Sequence, residues 1–470
     1  MEFLKNELKD EGQDHILELD LSDDHPIVSE MHRWKVLDSI KHFKGAKDTQ
    51  WVRTDEAITP VRKGDDVHAL VDLVRMNNEK RNSYKSIGLQ FISDESVAAV
   101  IMSGGQGTRL GFNGPKGIYD IGLPSKKSIF QLHVEKIISI RNLSNPKSPP
   151  SIPIYIMTSD LNDKIIKDYF HDNNYFGYPK DDIFFFEQGL MPCLTMDGKI
   201  IMESEFKLAL APDGNGGLYN ALQSSGALDD MINRGIKHLN IYGIDNVLVK
   251  SLDPTFLGVC ISNDVQIGNK TVARASAAEK VGVTANINGK MWILEYSDIP
   301  KELADASDED GDLLFQAANI CNHYMSVSFL KDFIIPNLGN SYHLAPKKIP
   351  YWDSKLKQTI TPTSNNGVKL EMLIFDVFPL ADKWIVVEAD RNEEFAPVKN
   401  EPGNPVDSPD TARALITAQC KGWLKSVGAK IVSKSIANHV CEISPLLSYE
   451  GEGLEKFKNV EISLPCYIDK

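Results

Sequence analysis

The sequence predicts an α/β protein: a central, mixed but mostly parallel sheet, with a helical N-terminal region and a small C-terminal domain. Three observations carry this expectation. Between about residues 95 and 400, short apolar runs alternate with segments of helical periodicity, the pattern of a sheet covered by helices on both faces. One of those runs, Val97–Met102, empties directly into a glycine-rich stretch, as strands do where open α/β sheets bind ligands at their carboxyl ends. Finally, Glu401–Pro409 holds Pro402, Gly403, Pro405 and Pro409, a hinge composition that sets off the last segment.

Taken in order, residues 1–90 read as helical. Ile27, Met31, Trp34, Leu37 and Ile40 recur every three to four positions after Asp24 and Pro26, which suit a cap and a first turn. Val67, Leu70, Leu73 and Val74 mark a second helix by the same spacing. Across 91–400, the expected strands are Val97–Met102, Ile152–Met157, Asp182–Phe186, His238–Gly243 and Val259–Ile261. Helices are expected through Phe130, Val134, Ile137 and Ile138, and through Leu161, Ile165, Tyr169 and Phe170. The apolar run from Leu373 to Phe378 reads as a core strand. In 401–470, Ser408 and Pro409 open a helix to about Val427, and His439–Ile443 and Val460–Leu464 read as short strands.

Composition excludes several classes of function. The 470 residues carry 51 Lys plus Arg against 65 Asp plus Glu, a net charge of −14, so no basic nucleic-acid face is expected. An acidic protein that binds anions must gather its cations locally, which makes clustered ones informative. The acidic run from Asp305 to Asp312 reads as a solvated loop. Six cysteines, at 193, 260, 321, 420, 441 and 466, include no C-x-x-C pair, which fits isolated reduced thiols in a cytoplasmic protein. Met1–Asp14 is charged and lacks the apolar core of a signal peptide. No apolar run approaches membrane-spanning length, so no membrane partner is expected.

The chemistry concentrates between Gly104 and Lys116. Five glycines (104, 105, 107, 111 and 114) lie among thirteen residues that also include Arg109 and Lys116. Glycines let backbone N–H groups approach a ligand without Cβ atoms in the way. The Arg109 fork and the compact Lys116 ammonium suit phosphate oxygens. The stretch is not a Walker loop, which needs G-x-x-x-x-G-K-[ST]. Nor is it the dinucleotide fingerprint: Gly105, Gly107 and Gly111 give G-x-G-x-x-x-G, one residue too long, and the next helical pattern begins only near Ser128. A polyphosphate cradle is the reading that remains, with a tight turn and two solvated cations as the plainer one.

These residues resemble the signature of the eukaryotic-type UDP-N-acetylhexosamine pyrophosphorylases, members of the nucleotidyltransferase superfamily that makes nucleotide sugars. Four further stretches agree in order and spacing: Pro212–Tyr219, Gly243–Lys250, Asn319–His323 and Phe395–Asn400. The similarity runs from about Ser83 to Asn400. It implies a Rossmann-like sheet of the nucleotide-sugar nucleotidyltransferase type. It also implies conversion of UTP and N-acetylglucosamine 1-phosphate into UDP-N-acetylglucosamine and pyrophosphate with Mg²⁺, Mn²⁺ being the alternative ion, by a monomer or weak homodimer.

By the same resemblance, Gly104 and Gly105 contact substrate, Arg109 and Lys116 hold the triphosphate, and Lys399 holds the sugar phosphate. Asp245, at the end of an apolar strand, would carry the metal, since Mg²⁺ commonly uses one or two carboxylates plus phosphate oxygens and waters. Gln188 and Gly214 would face the uracil and Asn215 the sugar. Gly282 and Glu295 match acetamido and hydroxyl contacts, Asn319 a sugar contact, and Phe375 part of the wall around the acetyl methyl. Leu373 stands where family members carry an aromatic. Asn322 reads as structural and His323 as a packed histidine. Three alternatives stay open: a UDP-glucose or broader UDP-sugar pyrophosphorylase, an NAD(P)-binding oxidoreductase, and an inactive nucleotide-sugar sensor.

Overall fold

The computed structural model describes residues 2–19, 21–22, 25–48, 57–309, 311–338, 342–433 and 439–469. The chain builds two compact units from alternating stretches. One comprises 1–53, 188–224 and 334–377, and the other 54–187, 225–333 and 378–470.

The larger unit is organised by one sheet. In chain order its principal strands are β1 (Leu70–Asp72), β2 (Val97–Met102), β3 (Ile154–Thr158), β4 (Ile183–Glu187), β5 (His238–Gly243), β6 (Ile267–Ala273), β7 (Ala317–Ser326) and β8 (Trp384–Ala389). Their spatial order is β1-β8-β6-β7-β5-β2-β3-β4. Every neighbouring pair is parallel except the two made by β7, which runs antiparallel to β5 and β6. This is the mixed, mostly parallel sheet that the alternating pattern predicts. Strands β2, β3 and β8 are buried at every position, as expected where helices cover both faces. Helices α1 (Asn78–Ser93), α2 (Ile129–Ser144), α3 (Asp163–Asp172), α4 (Pro254–Ser262) and α5 (Pro409–Ser426) belong to this unit. Ser128 caps α2 through its side chain, and Ser408 forms a capping box with Thr411 at the start of α5.

Four expected elements differ. Val259–Ile261 is not a strand but the end of α4, because the Asp253 side chain accepts from the Thr255 N–H and Pro254 occupies the first turn. A short apolar run has no periodicity of its own, and the cap decides it. Helix α4 crosses α1 where Gly88 and Gly258 bring the backbones into contact; a Cβ on either would fall 1.9 Å from a carbonyl oxygen of the other helix. The proposed helix around Val67–Val74 is instead β1, paired with β8. The run of α3 is as expected, but its buried face is Ile166 and Phe170, while Leu161 and Ile165 are exposed. The helix around Ile27–Ile40 is two helices, Pro26–Arg33 and Val36–Asp48, broken at Lys35 with φ 44°. His25 supplies the first cap, and Asp24 lies outside the described residues.

In the larger unit a buried ion cluster lies behind the carboxyl edge of the sheet. Lys270 Nζ, fully buried on β6, donates to Asp253 at 2.5 Å and also to Glu394. Burial works against the Asp253 carboxylate, but Lys270 and Lys250 outweigh it and hold its pKa below the usual range. The run beginning at Leu373 is not a strand: Ile374–Leu380 forms 3-10 turns with Pro379 inside. Its backbone is claimed by side chains instead of a ladder. Ile374 N–H donates to Asn215 Oδ1 at 2.9 Å, Ile374 C=O accepts from Tyr219, and Leu373 N–H donates to Asp376 at 2.7 Å.

Candidate active site

In the larger unit, the glycine loop leaves β2 at the carboxyl edge and folds back on itself. Gly107 N–H donates to Gly114 C=O at 2.9 Å and Lys116 N–H to Gly105 C=O at 3.1 Å. The Phe112 ring fills the space between: a Cβ on Gly107 or Gly114 would come within 2.9 or 3.0 Å of it, and one on Gly117 within 2.2 Å of Phe130. These glycines are therefore demanded by packing. Gly105 differs, since a Cβ there meets nothing within 4 Å. The N–H groups of Gly104, Gly105 and Gln106 have no partner among the described residues. Successive free N–H groups of this kind favour an anion.

Asp245 follows β5, which pairs with β2 along its whole length. Its neighbour Asn246 is buried and wholly structural. Asn246 Nδ2 donates to Glu394 C=O at 2.8 Å, and its Oδ1 accepts from Ala396 N–H at 2.9 Å. Val398 N–H donates to Asp245 C=O at 2.9 Å. The residues after β8 are thereby stitched to those after β5, which brings Lys399 beside Asp245. Lys399 and Asn400 both donate backbone N–H groups to Asp407 C=O, at 2.7 and 2.9 Å.

The four charged groups share one field. Burial lowers the pKa of the Lys116 ammonium; Asp245 counters it, while Arg109 and Lys399 push it further down. Burial raises the Asp407 carboxyl, with Lys399 opposing and Asp245 adding to the rise. Three cations, set against the Asp245 and Asp407 carboxylates, can take a polyanion, and a ligand phosphate relieves the repulsion among them.

On the other side of Asp245, the antiparallel β7 brings its first residues to the same edge, with Asn322 opposite Tyr242. The β6–β7 register slips between Lys270 and Thr271, so that Asn322 and Asn319 face consecutive residues of β6. Bulges of this sort re-aim side chains beside functional sites. Cys321, in the bulge with φ 55°, has its thiol pushed by burial, and further by Asp245, to about 12. Asn319 N–H donates to Gly282 C=O at 2.8 Å, and Glu295 Oε1 lies 3.1 Å from where a Gly282 Cβ would stand. Asn319, Gly282 and Glu295 thus form one group.

Asn322 and His323 are packing residues. Asn322 accepts from Asn240 at 2.8 Å, and His323 Nδ1 meets Asn269 Oδ1 at 2.9 Å with its ring against Phe378. Burial lowers the His323 pKa to about 3, so it remains neutral.

The remaining expected contacts, Gln188, Gly214, Asn215 and Phe375, gather within the smaller unit. Gly216 N–H donates to Met372 C=O at 2.8 Å and Met372 N–H to Asp213 C=O at 2.7 Å. Asn215 receives the Ile374 N–H, and Phe375 follows it, buried. Asp213 was not a candidate from its residue type, yet it organises the group. Gln188 Nε2 donates to Asp213 Oδ1 at 3.2 Å and to Gly214 C=O, and the carboxylate fills the space a side chain at Gly217 would need. Burial raises the Asp213 pKa to about 7, against the Gln188 bond. Its place before Gly214-Asn215-Gly216-Gly217 was the available signal. Asp407 gave less, standing in a segment that reads only as a linker.

A family model described as UTP–glucose-1-phosphate uridylyltransferase matches residues 39–421. The UDP-N-acetylglucosamine pyrophosphorylase of Saccharomyces cerevisiae is 44% identical over 387 residues, covering 81% of this chain and 80% of that protein. A probable UDP-N-acetylglucosamine pyrophosphorylase of Dictyostelium discoideum is 38% identical over 471 residues, covering 97% and 96%. Among solved structures, the uridine diphosphate N-acetylglucosamine pyrophosphorylase of Trypanosoma brucei superposes with a TM-score of 0.81 at 27% identity, covering 100% of this chain and 98% of that one.

Proposed function

The chain belongs to the UTP–glucose-1-phosphate uridylyltransferase family, with the UDP-N-acetylglucosamine pyrophosphorylases, and from that premise we propose the reaction and the residues that carry it. The chain is a uridylyltransferase that makes UDP-N-acetylglucosamine and pyrophosphate from UTP and N-acetylglucosamine 1-phosphate. The sugar phosphate oxygen attacks the α-phosphorus in line; that P–O bond forms as the bond to the β-phosphate oxygen breaks, and pyrophosphate leaves with the electron pair. The nucleophile is already anionic at neutral pH, so no general base is required. What opposes the reaction is repulsion between two polyanions, and catalysis is charge neutralisation and positioning.

Arg109 and Lys116 take the triphosphate and steady the departing pyrophosphate, while Lys399 holds the sugar phosphate. The Gly105 N–H and its neighbours receive the nucleotide. Asn319, Gly282 and Glu295 receive the amino sugar, Gln188 and Gly214 face the uracil, Asn215 lies toward the sugar, and Phe375 toward the acetyl methyl. The donor set fits a hard divalent cation. Asp245 offers a half-buried carboxylate among phosphate-binding cations, and no group of three or more His, Cys, Asp or Glu occurs among the described residues, so substrate oxygens and waters would complete the shell. Mg²⁺, or Mn²⁺, would supply neutralisation of phosphate charge there.

The observation that carries this reading is the common field of Arg109, Lys116, Lys399 and Asp245 at the strand ends. The experiment is pyrophosphate release with a panel of sugar 1-phosphates and nucleoside triphosphates, with and without Mg²⁺. Release that requires UTP, N-acetylglucosamine 1-phosphate and the ion supports the assignment; a preference for glucose 1-phosphate would move the chain to the UDP-glucose reading. The monomer or weak homodimer and the cytoplasmic location complete the proposal. Among the described residues, no helix is long and apolar enough to cross a membrane.

A further inference from the structure

We propose that Asn162 is a positioning residue of the nucleotide site, holding the Gly104–Gly105 peptide so that the Gly105 N–H stays turned toward the uridine nucleotide. The inference rests on the reading that the glycine loop receives UTP. Asn162 stands immediately before α3, where an asparagine side chain ordinarily accepts a hydrogen bond from the first turn of the helix. Here it makes no such cap. The amide is fully buried and is spent on the glycine loop instead. Its Nδ2 donates to Gly104 C=O at 2.9 Å, and its Oδ1 accepts from Gln106 Nε2 at 2.6 Å. With both ends committed, the amide has one orientation. Ser159 Oγ donates to the same Gly104 oxygen at 3.0 Å.

The consequence follows from peptide geometry. In a planar trans peptide the C=O and the next N–H point to opposite sides. Fixing the Gly104 oxygen against Asn162 and Ser159 therefore turns the Gly105 N–H the other way, where Gly105 is exposed and no partner among the described residues takes it. The need for a clamp is plain, since a peptide flanked by two glycines has little steric resistance to flipping. A flip would point a carbonyl, rather than a donor, at an anionic ligand.

The test is steady-state kinetics of pyrophosphate release, varying UTP and N-acetylglucosamine 1-phosphate separately, for wild type, Asn162→Ala, Ser159→Ala and the double variant. The lost interaction binds the nucleotide equally in the ground and transition states, so it acts on KM. The expected result for Asn162→Ala is a rise in KM for UTP of about tenfold, with kcat, KM for the sugar phosphate and Tm little changed. Ser159→Ala should show a smaller rise, and the pair should not be additive, because both hold one oxygen. A UTP KM within twofold of wild type in both single variants overturns the proposal. So does a parallel rise in both KM values accompanied by a fall in Tm, which is what a merely structural residue would give. A wild-type protein inert toward UTP is a distinct result, and it overturns the nucleotidyltransferase reading itself.

Discussion

Gln188 is expected to set the choice of base. Its Nε2 is committed twice, to Asp213 Oδ1 at 3.2 Å and to Gly214 C=O. An amide has two donors and one carbonyl oxygen, so what Gln188 has left for a ligand is Oε1, an acceptor. Uracil presents a donor at N3, whereas cytosine presents a lone pair there. A cytosine placed against Oε1 sets two acceptors face to face, at a cost of about 1–3 kcal/mol. That corresponds to roughly a 5- to 150-fold preference for UTP over CTP in kcat/KM from this contact. Gln188→Leu removes the acceptor while keeping bulk. Its kcat/KM for UTP should fall while the CTP value holds or rises, so the ratio of the two contracts by up to that factor. The assay is pyrophosphate release with each nucleotide at fixed sugar phosphate, with Tm checked because the variant leaves Asp213 without its Gln188 partner. An unchanged UTP-to-CTP ratio in a folded Gln188→Leu would refute the reasoning.

Further outcomes follow from other parts of the molecule. Arg109 is exposed, so Arg109→Ala should lower turnover by on the order of 10²–10³, the scale of one preorganised transition-state donor, while leaving Tm unchanged; equal turnover would contradict its role. Burial lowers the Lys116 pKa, so KM for UTP should climb on the alkaline side as the ammonium loses its proton, and Lys116→Arg should move that climb to higher pH. Lys270→Met leaves Asp253 and Glu394 with Lys250 alone and should cost about 3 kcal/mol in urea unfolding; a neutral result would show that the cluster is dispensable.

Acid should destabilise the fold through two buried imidazoles. Burial, with Lys136 adding, lowers the His133 pKa to about 3, and burial lowers His323 to about 3. Both are bases with depressed folded values, so below about pH 6.5 the unfolded chain binds the protons and stability falls with pH. At pH 5 each should have cost about 2 kcal/mol. Urea midpoints at pH 7 and pH 5 check this, and His133→Gln should shrink the difference by its own share of about 2 kcal/mol.

How much of this was legible in the sequence depends on what fixed each element. β2 and β5 were readable to the residue because each is a largely apolar run with glycine at or just beyond its end. Helix α5 was readable from its cap and first-turn proline. Val259–Ile261 was not, because an apolar triplet fits a strand or a buried helix equally, and Asp253-Pro254 decided it. Leu70–Asp72 was not, because the spacing of Val67, Leu70, Leu73 and Val74 mimics a helix, while pairing with β8 makes the segment a strand. The turns at Ile374–Leu380 depend on Asn215, Tyr219 and Asp376 taking backbone groups, contacts between distant segments that no local pattern encodes. Within the site, residue types gave Arg109, Lys116 and Lys399 as cations. The resemblance supplied their order and roles. The linking of the Asp245 and Lys399 loops by Asn246, and the β7 bulge at Asn319, emerge only once strands far apart in sequence lie side by side.

The claim on which all of this turns is electrostatic: a few local cations on an acidic chain let two like-charged substrates react. The most direct measurement is pyrophosphate release from UTP and N-acetylglucosamine 1-phosphate with Mg²⁺, comparing wild type with Lys399→Ala at saturating UTP. The account predicts rapid release by the wild type, and a variant that still binds UTP but turns over on the order of 10²-fold more slowly. Wild-type release that continues undiminished in the variant, or no release with any sugar phosphate offered, would contradict it.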